Sequence, residues 1–245
     1  MSLKSAPMSM HLPETLSAKP KRSDGAQARN RLLDAALQLF AEQGFAKTSI
    51  REIALAAQAN VASISYYFGD KAGLYRAVFS DPRTNPPLPP EALEGAEVSL
   101  EQAIRRLLAS FLEPLKQGHV RQQQYLKLCF REMLEPTGAW QHEIDTDIAP
   151  THLALTRRLS LHVGLAEADD DIHRLAFSIS GLGVMLHVGN DLYTQIRPSL
   201  VNTPQTIDVY LDRLVSYALA LVDAEALRRR AQATDFPASA PLHAP

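Results

Sequence analysis

The stretch TSIREIALAAQANVASISYYFGDKAGLYRAVF, residues 48–79, decides the fold because capping and turn residues divide it into three short helices. Ser49 and Glu52 stand three residues apart, the spacing of a capping box, so a helix is expected to begin beside Ser49. Ile53 and the alanines after it give this helix one apolar side. Gln58 and the alanine that follows then form the turn into the second helix.

Asn60 is a favourable N-cap residue and precedes the segment Val61–Phe68, in which Ile64 and Phe68 are spaced i, i+4. The Gly-Asp pair after this segment ends the helix and caps another that begins near Lys71. Two short helices joined by a tight turn, the second rich in small polar and aromatic residues, are typical of a helix-turn-helix. Many helical bundles contain this arrangement, so the pattern by itself is weak evidence for DNA binding.

A further helix precedes the quoted stretch. Leu33, Ala36, Leu37 and Phe40 follow the spacing i, i+3, i+4, i+7, and Gly44 is a C-terminal stop. The four helices together occupy about 55 residues, enough for a small domain.

The rest of the chain is predicted to form longer helices, separated from the first domain by five prolines between residues 81 and 90. They are expected at Leu100–Gln117, Val120–Leu134, Trp140–His162, Asp171–Leu192 and Gln205–Arg230. No segment alternates as a strand would. The prediction is an all-α chain of about nine helices in two domains, with an N-terminal three-helix helix-turn-helix domain and a C-terminal helical domain. The predicted bounds are a disordered arm at 1–24, a DNA-binding domain at 25–81, an effector-binding and dimerisation domain at 91–231 and a disordered tail at 232–245.

The charge is distributed unevenly. Residues 1–80 carry ten Lys and Arg against six Asp and Glu, whereas the remainder carries fifteen against twenty-one. A basic first part suggests that this part meets a polyanion, although scatter of solvated charge produces the same asymmetry. Mean hydropathy is −0.13, and no membrane span or secretory signal is recognisable, so a cytoplasmic protein without membrane contact is expected. One cysteine excludes an internal disulfide and a cysteine-based zinc cluster.

The residues 48–79, together with Phe40 and Gly44-Phe45, strongly resemble the DNA-binding domain of the TetR family of transcriptional regulators. The segment NVASISYYFG, residues 60–69, and the segment REMLEPTGAW, residues 131–140, look like the CecR subgroup of that family. Two departures stand out: Gln58 replaces a frequent turn glycine, and Ser65 replaces a frequent tyrosine that contacts phosphate.

The resemblance implies a set of DNA contacts. Base-reading positions are Val61, Ser63 and Tyr67, with Ser65 and Asn60 as further candidates. Phosphate contacts are expected from Thr48, Ser49, Arg51, Tyr66 and Lys71. For Tyr66, packing inside the domain core is the competing interpretation.

The resemblance also implies that the C-terminal domain dimerises and holds a small-molecule pocket. Pocket candidates are Tyr125, Cys129, Phe130, Met133, Trp140, Phe177, Met185 and His187, each of which also suits a plain core. Dimer candidates are Gly181, Gly183, Ile207, Tyr210, Leu211, Leu214, Tyr217, Ala218 and Leu221, which otherwise pack within their own subunit.

The predicted function is therefore a sequence-specific regulator, a homodimer on a palindromic operator, acting as a repressor that a small-molecule effector releases. The alternative is a DNA-binding regulator without an effector, and an internal apolar cavity would discriminate between them. An enzyme is not expected because no HExxH, phosphate loop or nucleophile elbow is present. No cofactor and no metal are expected, since His142, Glu143, Asp145 and Asp147 suit a solvated helix face. A redox role for Cys129 requires an exposed, activated thiolate, whereas its neighbours predict burial.

Overall fold

The computed structural model describes residues 22–84, 88–95, 97–116 and 119–235, and within these ranges it contains helices and no strand. The all-α prediction is thus confirmed. The α-helices are α1 (Arg22–Gln43), α2 (Ile50–Ala56), α3 (Val61–Phe68), α4 (Lys71–Phe79), α5 (Glu91–Glu94), α6 (Leu100–Leu112), α7 (Val120–Leu134), α8 (Gln141–Glu143), α9 (Ala149–Val163), α10 (Asp170–Val188), α11 (Asn190–Ile196) and α12 (Pro204–Asp235). Short 3₁₀ helices cover Glu113–Leu115 and Pro198–Leu200, and a π-helix covers Ile144–Ile148.

Local capping explains why the first helices begin and end where they do. Ser49 forms the expected capping box with Glu52 at the start of α2, and the Asn60 side chain accepts from the Ala62 N–H at the start of α3. The turn between them holds Gln58 at φ 51°, the left-handed region that glycine adopts more easily. Helices α1 to α4 close around a core in which Phe40 and other apolar residues are fully buried.

The first core does not end with α4. Tyr125, Leu128 and Cys129 of α7 are buried in the same cluster as the apolar faces of α1 to α4. Arg131 adds two hydrogen bonds, from Nε to the Ala41 carbonyl (2.9 Å) and from Nη2 to the Glu42 carbonyl (2.7 Å). The proline-rich boundary therefore separates two segments of sequence, whereas α7 is packed against the DNA-binding helices.

The second core is built from α5, α6, α9, α10 and α12. Helix α12 packs along α6, and α10 contacts α6, α9 and α12. No helix in the described ranges is long and apolar enough to cross a membrane.

Several predicted boundaries differ from the observed ones. Helix α1 begins at Arg22, inside the predicted arm, and the rest of that arm, residues 1–21, lies outside the described residues. Helix α12 continues to Asp235, beyond the predicted start of the tail at 232, and residues 236–245 are likewise not described. The predicted helices over 140–162 and 171–192 are each interrupted, the first by the π-helix and the second at Gly189.

Candidate DNA-binding surface and ligand cavity

Helix α3 presents one anchored side and one open side. Ile64 is fully buried, which fixes the helix against its neighbours, while Val61, Ser65 and Tyr66 are exposed. Ser63 is half-buried between these two sides. The open side offers hydroxyl groups and an apolar methyl surface, which are the groups that read base edges in a major groove.

The adjacent residues Tyr66 and Tyr67 differ in how far their side chains are exposed to solvent. Tyr66 is 82% exposed, so the interpretation that it packs in the core is wrong. Its ring meets the ring of Tyr67 edge to face, with centroids 4.9 Å apart. Tyr67 is half-buried, and its hydroxyl lies close to the backbone of Gly25 in α1. Tyr67 therefore lies near the start of α1.

The side chain of Thr48 points inward, which corrects its prediction as a phosphate contact. It is 1% exposed, and its hydroxyl donates to the Gly44 carbonyl (2.8 Å) and lies 3.2 Å from the Leu39 carbonyl. Thr48 thus fastens the end of α1 to the start of α2. Ser49 and Arg51 next to it remain exposed.

Lys71 is the first residue of α4, and its ammonium group forms no ion pair with any residue that the structure describes. Its Nζ lies 4.4 Å from the centre of the Phe45 ring and 3.4 Å from the Ala46 carbonyl oxygen. A cation stacked on an aromatic ring keeps its charge available while losing side-chain freedom. This geometry suits a contact with a DNA phosphate.

A cavity of about 380 Å³ lies between α6, α7, the segment from α8 to α9, and α10. Its size falls in the range of small-molecule sites. Six of the eight predicted pocket residues line it, namely Tyr125, Cys129, Phe130, Met133, Trp140 and Phe177.

The other two predicted pocket residues lie outside the lining. His187 is turned toward α6, where its Nε2 is 2.5 Å from the Phe111 carbonyl oxygen, and burial lowers the pKa of its imidazole. Met185 is half exposed on the outer side of α10. Both residues follow Phe177 in α10, but neither is part of the cavity lining.

Glu143 is a lining residue that the sequence reasoning missed, because it was assigned to a solvated face. It is 4% exposed, whereas His142, Asp145 and Asp147 are exposed. Trp140 and Glu143 are three residues apart and so share a helix face, a signal that was available in the sequence. In the described ranges no group of three or more potential ligands is arranged to hold a metal.

A histidine pair borders the cavity. His152 Nε2 and His173 Nδ1 are 2.9 Å apart, and the His152 ring stacks on Phe177 with centroids 4.2 Å apart. Burial, and next the neighbouring His173, lower the pKa of His152. Near neutral pH, His152 therefore presents a neutral, stacked imidazole to the cavity.

Two carboxylates connect helix α4 to the cavity side of the molecule. Glu132 of α7 accepts from the Tyr75 hydroxyl (3.0 Å), and Glu143 accepts from the Ser80 hydroxyl at the end of α4 (3.0 Å). Burial and the nearby Glu132 raise the pKa of Tyr75, so its hydroxyl remains a donor. These two contacts join α4, which directly follows α3, to α7 and α8.

The predicted dimer stripe is largely a core stripe. Five of its members are packed inside the protomer, so their prediction as dimer contacts is wrong: Gly183, Ile207, Leu211, Leu214 and Ala218. Helix α12 is apolar on several sides, and these residues form the side that faces the second core, while Gly183 faces the Phe111 ring. Of the remaining candidates, Tyr217 and Leu221 are exposed, Tyr210 is half-buried, and Gly181 also lines the cavity.

Cys129 is expected to react slowly with thiol reagents. It is buried, and burial raises the pKa of its thiol to about 12, so almost no thiolate is present at pH 8. We expect the native protein to react with Ellman's reagent at least about 100-fold more slowly than the same protein unfolded in guanidinium. Equal rates in the two states would contradict the burial of the Cys129 thiol and would favour a redox role for this residue.

Two family models match this chain. The model of the C-terminal domain of the HTH-type transcriptional dual regulator CecR covers residues 100–222, and the model of the tetR family of bacterial regulatory proteins covers residues 32–78. CecR of Shigella flexneri is 29% identical over an alignment of 212 residues, and this alignment covers 78% of this chain and 92% of that protein. AcrR, an HTH-type transcriptional regulator of Shigella flexneri, is 34% identical over 68 residues, 28% of this chain and 32% of that protein.

Solved structures share the fold. HlyIIR, a hemolysin II transcriptional regulator, superposes with a TM-score of 0.55 at 22% identity, covering 79% of this chain and 97% of that one. NalD of Pseudomonas aeruginosa, the secondary repressor of the MexAB-OprM multidrug efflux pump, gives a TM-score of 0.58 at 20% identity, covering 80% and 97%.

Proposed function

Because this chain belongs to the TetR family and carries a CecR-type C-terminal domain, it is a DNA-binding transcriptional regulator, and we propose that it is a homodimeric repressor released by a small molecule. The observation that carries the proposal is the double role of α7. This helix lines the cavity and also completes the core of α1 to α4.

The proposed dimer surface is the exposed apolar side of α10 and α12. On α10 it includes Met185 and Val188, and on α12 it includes Val209, Tyr217 and Leu221, all between 38% and 62% exposed. Pairing this surface with its copy removes apolar area from water and generates a two-fold axis. A two-fold dimer presents two α3 helices to the two halves of a palindromic operator.

The proposed release acts through the contacts of α7 and α8 with α4. A ligand that pushes apart the walls of the cavity moves Glu132 and Glu143, which hold Tyr75 and Ser80. The free energy required is small, since a tenfold loss of operator affinity corresponds to about 1.4 kcal/mol of differential binding. The open cavity favours this mechanism over a regulator without an effector.

Reciprocity supplies the test of this mechanism. Trp140 is the only tryptophan of the chain and lines the cavity, so its fluorescence reports ligand entry. Compounds that change this fluorescence are titrated with and without operator DNA. We expect operator to weaken ligand binding by the same factor by which the ligand weakens operator binding. Equal ligand affinity in both titrations, for every compound that binds, would reject the release mechanism and favour the effector-free alternative.

Lys71→Ala is expected to weaken binding to operator and to random duplexes alike. The reason is the loss of a phosphate contact, which carries no sequence information. The slope of log K against log salt should become shallower by about one contact, roughly 0.9. Ser63→Ala, by contrast, should alter the preferred sequence. Lys127→Ala, which removes an exposed lysine from α7, is the matched control and should leave both properties unchanged. If Lys71→Ala retained the salt slope of the wild type, Lys71 would not be a phosphate contact.

A further inference from the structure

The wall of the cavity contains two buried polar atoms without a hydrogen-bond partner among the described residues. They are the indole Nε1 of Trp140 and the Oε2 of Glu143. Both residues line the cavity, and Glu143 is almost fully buried. Buried polar atoms are nearly always paired, so an unpaired acceptor and an unpaired donor in one cavity wall suggest groups that a ligand satisfies.

The charges of the lining have one sign. Glu143 and Asp147 contribute carboxylates, and no lysine or arginine lines the cavity in the described ranges. The basic group present is the imidazole of His152, and its lowered pKa keeps it neutral near pH 7. A cation that enters the cavity therefore meets opposite charge and no like charge, whereas an anion meets repulsion.

The apolar part of the lining is rich in aromatic rings. Phe111, Tyr125, Phe130, Trp140 and Phe177 all face the cavity. Aromatic faces attract organic cations through their quadrupole, and they also bury the apolar body of a ligand.

We propose that the effector is an amphipathic organic cation, with an apolar body among the aromatic rings and one ammonium or amidinium group against the free oxygen of Glu143. This inference names the class of ligand that the cavity binds, and it rests on the proposed function, in which the cavity is the effector site. Glu143 also provides the regulatory step, because its other oxygen holds Ser80 at the end of α4. Burial raises the pKa of Glu143, and a cation beside it favours the ionised carboxylate. A charged ligand therefore affects the hydrogen bond between Glu143 and Ser80, which fixes the end of α4.

The test uses three probes with one apolar body: 4-butylbenzylammonium, 4-butylbenzyl alcohol and 4-butylbenzoate. Binding to the full chain is measured by calorimetry and by Trp140 fluorescence. We expect the ammonium probe to bind at least tenfold more tightly than the alcohol and the carboxylate. Glu143→Gln should reduce the affinity of the ammonium probe to that of the alcohol and leave the alcohol within twofold of its wild-type value. The glutamine retains an acceptor for Ser80, and a thermal melt verifies folding.

Asp145→Asn is the matched control, since it neutralises an exposed carboxylate two residues from Glu143 that is not part of the cavity lining. Its ammonium affinity should stay within threefold of the wild type. The inference is overturned if the alcohol or the carboxylate binds most tightly, if Glu143→Gln keeps the ammonium preference, or if no probe binds. Release of operator DNA by each probe is measured separately. If the alcohol or the carboxylate releases the operator, the proposed function is retained and the cationic ligand class is rejected. If the ammonium probe binds selectively but releases no operator, the cationic ligand class is retained and release by that probe is rejected.

Discussion

Gly73→Ala is expected to lower operator affinity about 100-fold or more, equivalent to about 2.7 kcal/mol. Gly73 lies in the first turn of α4, and a Cβ at this position would be 1.9 Å from the Phe68 carbonyl oxygen and 3.1 Å from its carbon. Both atoms belong to the backbone of the last residue of α3, so no side chain can move to make room. The added methyl must displace α3 relative to α4, which misplaces the DNA-facing helix. Affinity for operator DNA and a thermal melt are measured together.

Gly181→Ala is the matched control for this change. It places the same methyl on a helix, but at a site where an added Cβ meets nothing within 4 Å. Alanine is favoured over glycine in helices by up to about 1 kcal/mol, so the control should retain or gain thermal stability. Operator affinity of Gly73→Ala within threefold of the wild type would contradict the close packing of α3 on α4.

Glu132→Ala is expected to lower the free energy of unfolding by about 3–5 kcal/mol, or the melting temperature by roughly 10 °C. Glu132 is 2% exposed. Its carboxylate accepts from the Tyr75 hydroxyl, from the Thr137 N–H (2.7 Å) and from the Thr137 hydroxyl (2.9 Å). Truncation leaves the buried Tyr75 hydroxyl unpaired, creates a void, and removes this link between α7 and α4.

Two further variants separate these contributions. Tyr75→Phe removes one donor and should cost about 1–2 kcal/mol, and its effect should be smaller in the Glu132→Ala background because the two residues share a contact. Glu135→Ala removes an exposed glutamate three residues along and should change stability by less than about 0.5 kcal/mol. Full additivity of Tyr75→Phe and Glu132→Ala would show that their hydrogen bond contributes nothing to stability.

The helix-turn-helix region was predictable because its signals are local. The bounds of α3 follow from Asn60 and from Gly69, and the capping box of α2 is readable from Ser49 and Glu52. Helix α7 was predicted with its observed bounds, Val120–Leu134, for a similar reason. Gly118 precedes this helix in the sequence and Pro136 follows it.

The orientation of individual side chains was harder to predict, since it depends on tertiary partners. Thr48 is polar and precedes a helix, yet carbonyls at the end of α1 draw its hydroxyl inward. The apolar stripe of α12 indicated burial correctly but did not indicate whether α6 or a second copy covers each side. Glu143 was assigned to a solvated face because acidic residues are dense around it, yet its carboxylate turns inward to accept from the Ser80 hydroxyl at the end of α4.

Selection of duplexes from a random DNA pool by the intact protein tests the central claim most directly. We expect enrichment of an inverted repeat whose two half-sites are related by a two-fold axis, each read by one α3 helix. Ser63→Ala, carried through the same selection, should change the half-site while preserving the inverted repeat. Enrichment of no sequence, or of a single unpaired half-site, would contradict recognition by a two-fold dimer.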